Sequence, residues 1–199
     1  MSYKHILTAD QLLYGYVNGI FPMAEGKHGK IYWYASDPRA IIPIYSYKPS
    51  RSLRPVINQG IFNIRFDTCF EQVIRYCAAP RQNDDNTWIS EEIVRAYTEL
   101  HQLGYAHSVE AFVGNELAGG LYGVALGAAF FGESMFHLKN NASKVAFYYL
   151  IEQLKKQGFE LLDTQFINDN VQRYGAIEIP QAEYMDLLKK ALSRQISFL

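Results

Sequence analysis

Ala128-Ala129-Phe130-Phe131-Gly132-Glu133-Ser134-Met135-Phe136 reads as a strand, and the residues after it decide the fold. Asn140-Asn141-Ala142-Ser143 offers capping residues for a helix running to about Gln157, and Gly158 supplies its stop. Residues 159–166 then read as a second strand. A strand, a helix and a strand with short joints form a crossover unit, so the two strands are expected to lie parallel and adjacent. The helix between them is apolar almost throughout from Val145 to Ile151, too broad a surface for burial on one side only.

Working outward, residues 108–113, a Gly114-Asn115 turn, residues 116–126, a break at Gly127 and residues 128–136 read as an antiparallel meander. Upstream, a strand at about 61–67, a helix near 68–78 and a helix capped by Ser90 are expected. Near the start, Thr8 with Gln11 forms a capping box ahead of Leu12, Leu13, Tyr16 and Val17 at helical spacing, and Asn18-Gly19 ends that helix. The Pro-, Gly- and aromatic-rich run after it suits shaped loops and short strands. The expected architecture is α/β (α+β): residues 1–47 as a small N-terminal α+β domain, and residues 48–199 as a second domain with a mixed, mostly antiparallel sheet.

With 199 residues and 49% hydrophobic composition, the chain can bury a real core. The segment Met1-Ser2-Tyr3-Lys4-His5 is polar, and no stretch approaches the roughly 18 apolar residues that span a bilayer. A cytoplasmic protein away from membranes is therefore expected. Cys69 and Cys77 have no second Cys or His pair at metal spacing, so no metal site and no disulfide framework is expected. The net charge of −1 hides a split: residues 1–81 hold 10 Lys/Arg against 5 Asp/Glu, and residues 82–199 hold 9 against 15. Such asymmetry suits a protein meeting a polyanion with one part and a cationic partner with the other, and it also suits chance scatter on a solvated surface. The cations of the first part include Lys27, His28, Lys30, Arg39, Arg51 and Arg54.

In open α/β sheets, ligands bind at the carboxyl ends of parallel strands, here Gly132-Glu133-Ser134-Met135 and Leu162-Asp163-Thr164-Gln165. Alternation puts Phe131, Glu133 and Met135 on one face, and Asp163 with Gln165 on one face of the neighbouring strand. Two carboxylates and an amide would then converge beside apolar residues; a satisfied buried network or a solvent-facing edge fits the same pattern. Phe147, Leu150 and Leu154 form a helical stripe that, with Phe130, Phe131 and Met135, suits either a wall of a side-chain pocket or ordinary core. Trp88, just ahead of the Ser90 helix, suits stacking on a base or a packing anchor. His107-Ser108 alternates faces of a strand and reads as structural.

Taken in order, several blocks resemble the leucyl/phenylalanyl-tRNA-protein transferase family across roughly residues 8–184. They are Asn18-Gly19-Ile20-Phe21-Pro22, Asp37-Pro38-Arg39-Ala40, Ser50-Arg51-Ser52-Leu53, Thr87-Trp88-Ile89, Gly104-Tyr105-Ala106-His107-Ser108-Val109-Glu110, Gly119-Gly120-Leu121-Tyr122-Gly123-Val124, Gly132-Glu133-Ser134-Met135-Phe136, Asn141-Ala142-Ser143-Lys144, and Gly175-Ala176 with Glu178-Ile179-Pro180. The resemblance implies a GNAT-like acyltransferase domain behind the small N-terminal domain. It implies transfer of Leu, Phe or Met from aminoacyl-tRNA to proteins with N-terminal Arg or Lys, in the bacterial N-degron pathway and without a cofactor. It implies Glu133, Asp163 and Gln165 as the polar active-site residues and Leu121, Phe130, Met135, Phe147, Leu150 and Leu154 as the pocket for the transferred side chain. Trp88 matches an adenosine-holding aromatic, and Met23 stands where the family often has a second Trp. An acetyl-CoA-dependent N-acetyltransferase suits the same strand-helix-strand plan, but the turn His137-Leu138-Lys139-Asn140-Asn141 lacks a glycine-rich loop to cradle a pyrophosphate, so acetyl-CoA is not an expected partner. A noncatalytic RNA-binding module gives no reason for paired carboxylates beside an apolar pocket.

Overall fold

The computed structural model describes residues 6–80 and 87–199; the polar start at Met1–His5 lies outside the described residues. Helix α1 (Ala9–Val17) begins with the expected reciprocal cap, Gln11 N–H donating to Thr8 Oγ1 at 3.2 Å and Thr8 N–H to Gln11 Oε1 at 3.1 Å. Strands β1 (Phe21–Ala24) and β2 (Ile31–Tyr34) form a separate hairpin. Then come β3 (Arg39–Ile41), α2 (Leu53–Asn58), β4 (Asn63–Phe66), α3 (Phe70–Ala78) and α4 (Glu91–Gln102), the last capped by Ser90 Oγ accepting from Ile93 N–H at 3.3 Å.

The meander is present as β5 (Ala106–Val113), β6 (Glu116–Leu126) and β7 (Ala129–His137), all antiparallel. Helix α5 (Ala142–Gln157) crosses over to β8 (Leu161–Asp163), which pairs parallel to β7. Two expectations here need correcting. Asn141 precedes α5 in the left-handed conformation and makes no side-chain cap. The second strand is also shorter than residues 159–166, because the chain turns at Gln165, whose φ of 68° cannot continue an extended strand. After it come α6 (Asp169–Arg173), β9 (Ile177–Ile179) and α7 (Gln181–Leu192).

The large sheet has seven strands in the order β4-β5-β6-β7-β8-β3-β9 and is antiparallel except at β7-β8, so the fold is a mixed α/β architecture. Helix α5 covers one face with Leu150, Ile151 and Leu154 against Phe130 and Leu162, while α1, α3, α4 and α7 cover the other around Leu12, Ile74, Tyr97 and Leu188. A broadly apolar α5 follows from this burial, since one flank meets the sheet and others meet Ile44 and Phe159. No helix among the described residues is long and apolar enough to cross a membrane.

Candidate active site at the fork of the sheet

Strands β7 and β8 pair only at Ala129↔Leu161, Phe130↔Leu162 and Phe131↔Asp163, then part. At that fork β7 carries a bulge: Tyr122 faces Ser134 and Gly123 faces Gly132, leaving Glu133 as the extra residue. The strands run so close here that a Cβ on Gly123 would lie 2.3 Å from Phe131 O. The bulge also flips the alternation. Phe131 belongs to the core on the α1 and α4 side and Met135 to the core on the α5 side, so Phe131, Glu133 and Met135 do not share one face as simple period-two counting expects.

The Glu133 carboxylate turns toward α1 and α4. Tyr16 donates to Oε1 at 2.6 Å, and Tyr97 stands 3.3 Å from Oε2; the two phenol oxygens also hydrogen-bond to each other. Part of Glu133 faces a cavity, but dense protein packing around the rest pushes its carboxyl up to about 7. The Tyr16 hydrogen bond opposes that rise, the charge of Asp163 adds to it, and the bonds from Tyr97 and Gln165 oppose it. Burial, and then the charge of Glu133, hold both phenols well above their ordinary range, so they remain donors.

Gln165 reaches across the fork, its Nε2 donating to Glu133 Oε1 at 3.1 Å. Its backbone is clamped: N–H to Asp163 Oδ1 at 2.8 Å, and its carbonyl accepting from Ala40 N–H at 3.1 Å and Ser36 Oγ at 2.5 Å. Asp163 is completely buried and does not line the cavity. It receives a bidentate Arg39, Nε to Oδ1 at 3.0 Å and Nη2 to Oδ2 at 2.6 Å, and the Tyr184 hydroxyl at 2.7 Å. Arg39 lies between the rings of Phe21 and Tyr184, 4.9 and 4.5 Å from their centroids, and spends Nη1 on Gly19 O at 2.9 Å. Burial pulls its pKa down, but the hydrogen bonds and charge of Asp163 outweigh that and hold it raised. Arg39 is therefore an internal cation, not part of an exposed basic surface; Lys27, His28, Lys30, Arg51 and Arg54 are exposed.

Beside Glu133 and Gln165 opens a cavity of about 300 Å3. Leu121, Met135, Phe147 and Leu150 line its apolar part, and Met23 and Trp88 line another wall, joined by Ala24 N–H donating to Trp88 O at 3.0 Å. Phe130 and Leu154 are fully buried and do not reach it; Phe130 packs on Phe198 and Phe159 instead. Sequence reasoning left out Tyr16, Tyr97, Tyr184 and the partnership of Arg39. Tyr16 sits on the apolar stripe of α1 and read as core, and the partners of Tyr97, Tyr184 and Arg39 are distant in sequence. His107 does bond to a carboxylate, Nδ1 to Asp67 Oδ2 at 2.7 Å, but Ser108 Oγ donates to Glu110 at 2.5 Å instead, so the pair forms no nucleophile and base.

Residues 41–189 match the family model for leucyl/phenylalanyl-tRNA protein transferase, and residues 6–37 match the model for the N-terminal domain of the same enzyme. The chain is 52% identical to the leucyl/phenylalanyl-tRNA–protein transferase of Chlorobium limicola, over 98% of this chain and all of that one. It is 50% identical to the enzyme of the same name from Gloeobacter violaceus, over 96% of this chain and 97% of that one. Among solved structures, the C-terminal domain of a putative lysylphosphatidylglycerol synthetase from Agrobacterium fabrum is similar at a TM-score of 0.47 and 9% identity, covering 96% of this chain and 71% of that one.

Proposed function

The chain belongs to the leucyl/phenylalanyl-tRNA–protein transferase family and is an aminoacyltransferase, and from that premise we propose how its fork and cavity act and on what. Leu, Phe or Met passes from aminoacyl-tRNA to the α-amine of a protein beginning with Arg or Lys, marking it for the N-degron pathway in the cytoplasm. The observation that carries this reading is the Gln165–Glu133 hydrogen bond in a cavity that also has an apolar wall of Leu121, Met135, Phe147 and Leu150.

An aminoacyl ester is already activated, and an α-amine with pKa 7.7–8.0 is roughly one-tenth to one-fifth neutral at pH 7. Positioning therefore carries most of the work. The amine nitrogen bonds to the ester carbonyl carbon, the bond from that carbon to the ribose oxygen breaks, and the proton that the amine gives up is balanced by the one the ribose oxygen takes as the tRNA leaves with a free hydroxyl. Gln165 donates through Nε2 to Glu133, which leaves its amide oxygen to accept from the amine. Glu133, poised near neutrality, holds the cationic acceptor or its amine. Asp163 acts through Gln165 by fixing its backbone, and is a positioning residue. Leu121, Met135, Phe147 and Leu150 hold the transferred side chain; Phe130 and Leu154 support them from behind. Trp88, with Met23 beside it, holds the terminal adenosine. No cofactor, metal or acetyl-CoA takes part in this scheme.

The crossover from β7 through α5 to β8, with strands that part at the fork, supports a GNAT-like plan for the larger part of the chain. The two family models support a separate N-terminal domain; β3, paired between β8 and β9, supports ending it near Arg39 rather than at residue 47.

The test is transfer of labelled leucine from Leu-tRNA and of labelled acetyl from acetyl-CoA, side by side, onto a peptide beginning with Arg. Leucine transfer without ATP, metal or CoA is expected. Acetyl transfer alone would refute the reading.

A further inference from the structure

Tyr174 follows α6, takes no part in the polar network and yet lines the cavity. Its ring lies against Phe147 with centroids 4.2 Å apart, and Tyr47 meets Phe147 edge-on at 5.4 Å. Its hydroxyl donates to Met135 Sδ at 3.6 Å, which ties the end of α6 across the cavity to β7. Burial pushes that phenol up to about 12, so it stays neutral. Met135 and Phe147 belong to the α5 side of the sheet, whereas Glu133 turns to the α1 and α4 side. The aromatic ring of Tyr174 thus stands with Met135 and Phe147 at the end of the cavity on the α5 side, and not on the side to which Glu133 turns.

We propose that Tyr174 closes that end and sets the greatest length of side chain that the enzyme accepts from its donor. The inference rests on the reading that this cavity takes the transferred side chain. A ring packed on Phe147 at a tilt and tied to Met135 cannot retreat without losing both contacts, so a longer donor must overlap it. The ring does the limiting, and the hydroxyl secures the ring. The helix that carries it, α6, is a single turn joined to the fork by the short run from Phe166 to Asn168, so the wall belongs to the same segment that presents Gln165.

The experiment uses one tRNA charged chemically with leucine, phenylalanine or homophenylalanine, and compares kcat/KM for transfer to an Arg-initial peptide by the wild type, Tyr174→Phe and Tyr174→Ala. One methylene too many in an apolar pocket is worth roughly 10- to 200-fold, so the wild type and Tyr174→Phe should use homophenylalanine at least about tenfold less well than phenylalanine. In Tyr174→Ala that gap should shrink to within about threefold, with leucine used less well than before. Equal use of phenylalanine and homophenylalanine by the wild type overturns the inference, as does a fall by one common factor for all three donors in Tyr174→Ala. Loss of the gap in Tyr174→Phe overturns the role given to the ring. A wild type that transfers neither leucine nor phenylalanine fails the proposed function itself, an outcome distinct from an unchanged length profile.

Discussion

Arg39 and Asp163 meet fork to fork with neither side chain exposed, Nη2 to Oδ2 at 2.6 Å, and this pair joins the N-terminal part of the chain to the fork of the sheet. Removing one member of a buried pair leaves the other charged and unpaired, which costs about 3–5 kcal/mol. Arg39→Met should therefore lower stability by that amount in urea unfolding. A loss below about 1 kcal/mol would mean that the pair is not buried as described. Arg39→Lys should recover only part, because an ammonium cannot reproduce the bidentate geometry.

Glu133 yields a prediction with a definite sign. Burial pushes its folded carboxyl up to about 7, above the ordinary glutamate value of 4.5, so between those values the native state binds more protons than the unfolded chain. Stability from this group is therefore highest at low pH and falls as pH rises from about 4.5 to about 7. Part of Glu133 faces the cavity, so the loss is about 2 kcal/mol, below what the full shift would give. Glu133→Gln should abolish that slope relative to the wild type in unfolding measured at pH 5 and pH 8, and slow transfer at both. Parallel stability curves for the two proteins would contradict the raised carboxyl.

Trp88 lines the cavity wall beside Met23. If it stacks on the terminal base, Trp88→Ala should remove about 1–3 kcal/mol of donor binding, raising the donor KM with little change in kcat. An unchanged KM would return Trp88 to a packing role.

Phosphate contacts release counterions, so tRNA affinity should fall with salt in proportion to their number. Lys27 and Lys30, exposed on the β1-β2 hairpin turn, are candidates for that footprint, and Lys155 and Lys156 on α5 are not. Each lysine removed from the true footprint should flatten the log-log plot by about one unit. Lys27→Ala with Lys30→Ala should flatten it, and Lys155→Ala with Lys156→Ala should not. The reverse result would move tRNA to the acidic part.

How much of this was legible follows from how far each determinant reaches along the chain. The β7-α5-β8 crossover is local, written in a strand pattern, a helical apolar run and Gly158, and so is the capping box at Thr8. The bulge that re-aims Glu133 depends on Gly123 in the neighbouring strand, and no periodicity in β7 announces it. Strand β3 is three residues long and owes its place to pairing with β8 and β9, so nothing in Arg39-Ala40-Ile41 taken alone marks it as part of the sheet. Arg39 read as a surface cation for the same reason: its carboxylate lies 124 positions away. The alternation that sets Gln165 on one face with Asp163 does not hold, since the chain turns there at positive φ, and its amide still meets Glu133 because that turn directs it across the fork.

In the proposed reaction the Gln165 side-chain amide, bonded to Glu133 and set in place by the Asp163 bond to the Gln165 backbone N–H, works on the acceptor amine and not on the donor tRNA. Gln165→Ala separates the two most directly, with initial transfer rates measured beside filter binding of charged tRNA. Transfer should fall by about 100-fold or more, the scale on which one positioned polar group acts in a reaction centre, while tRNA binding stays within about twofold. Equal losses in rate and in tRNA binding, or a rate that does not change, would contradict the account.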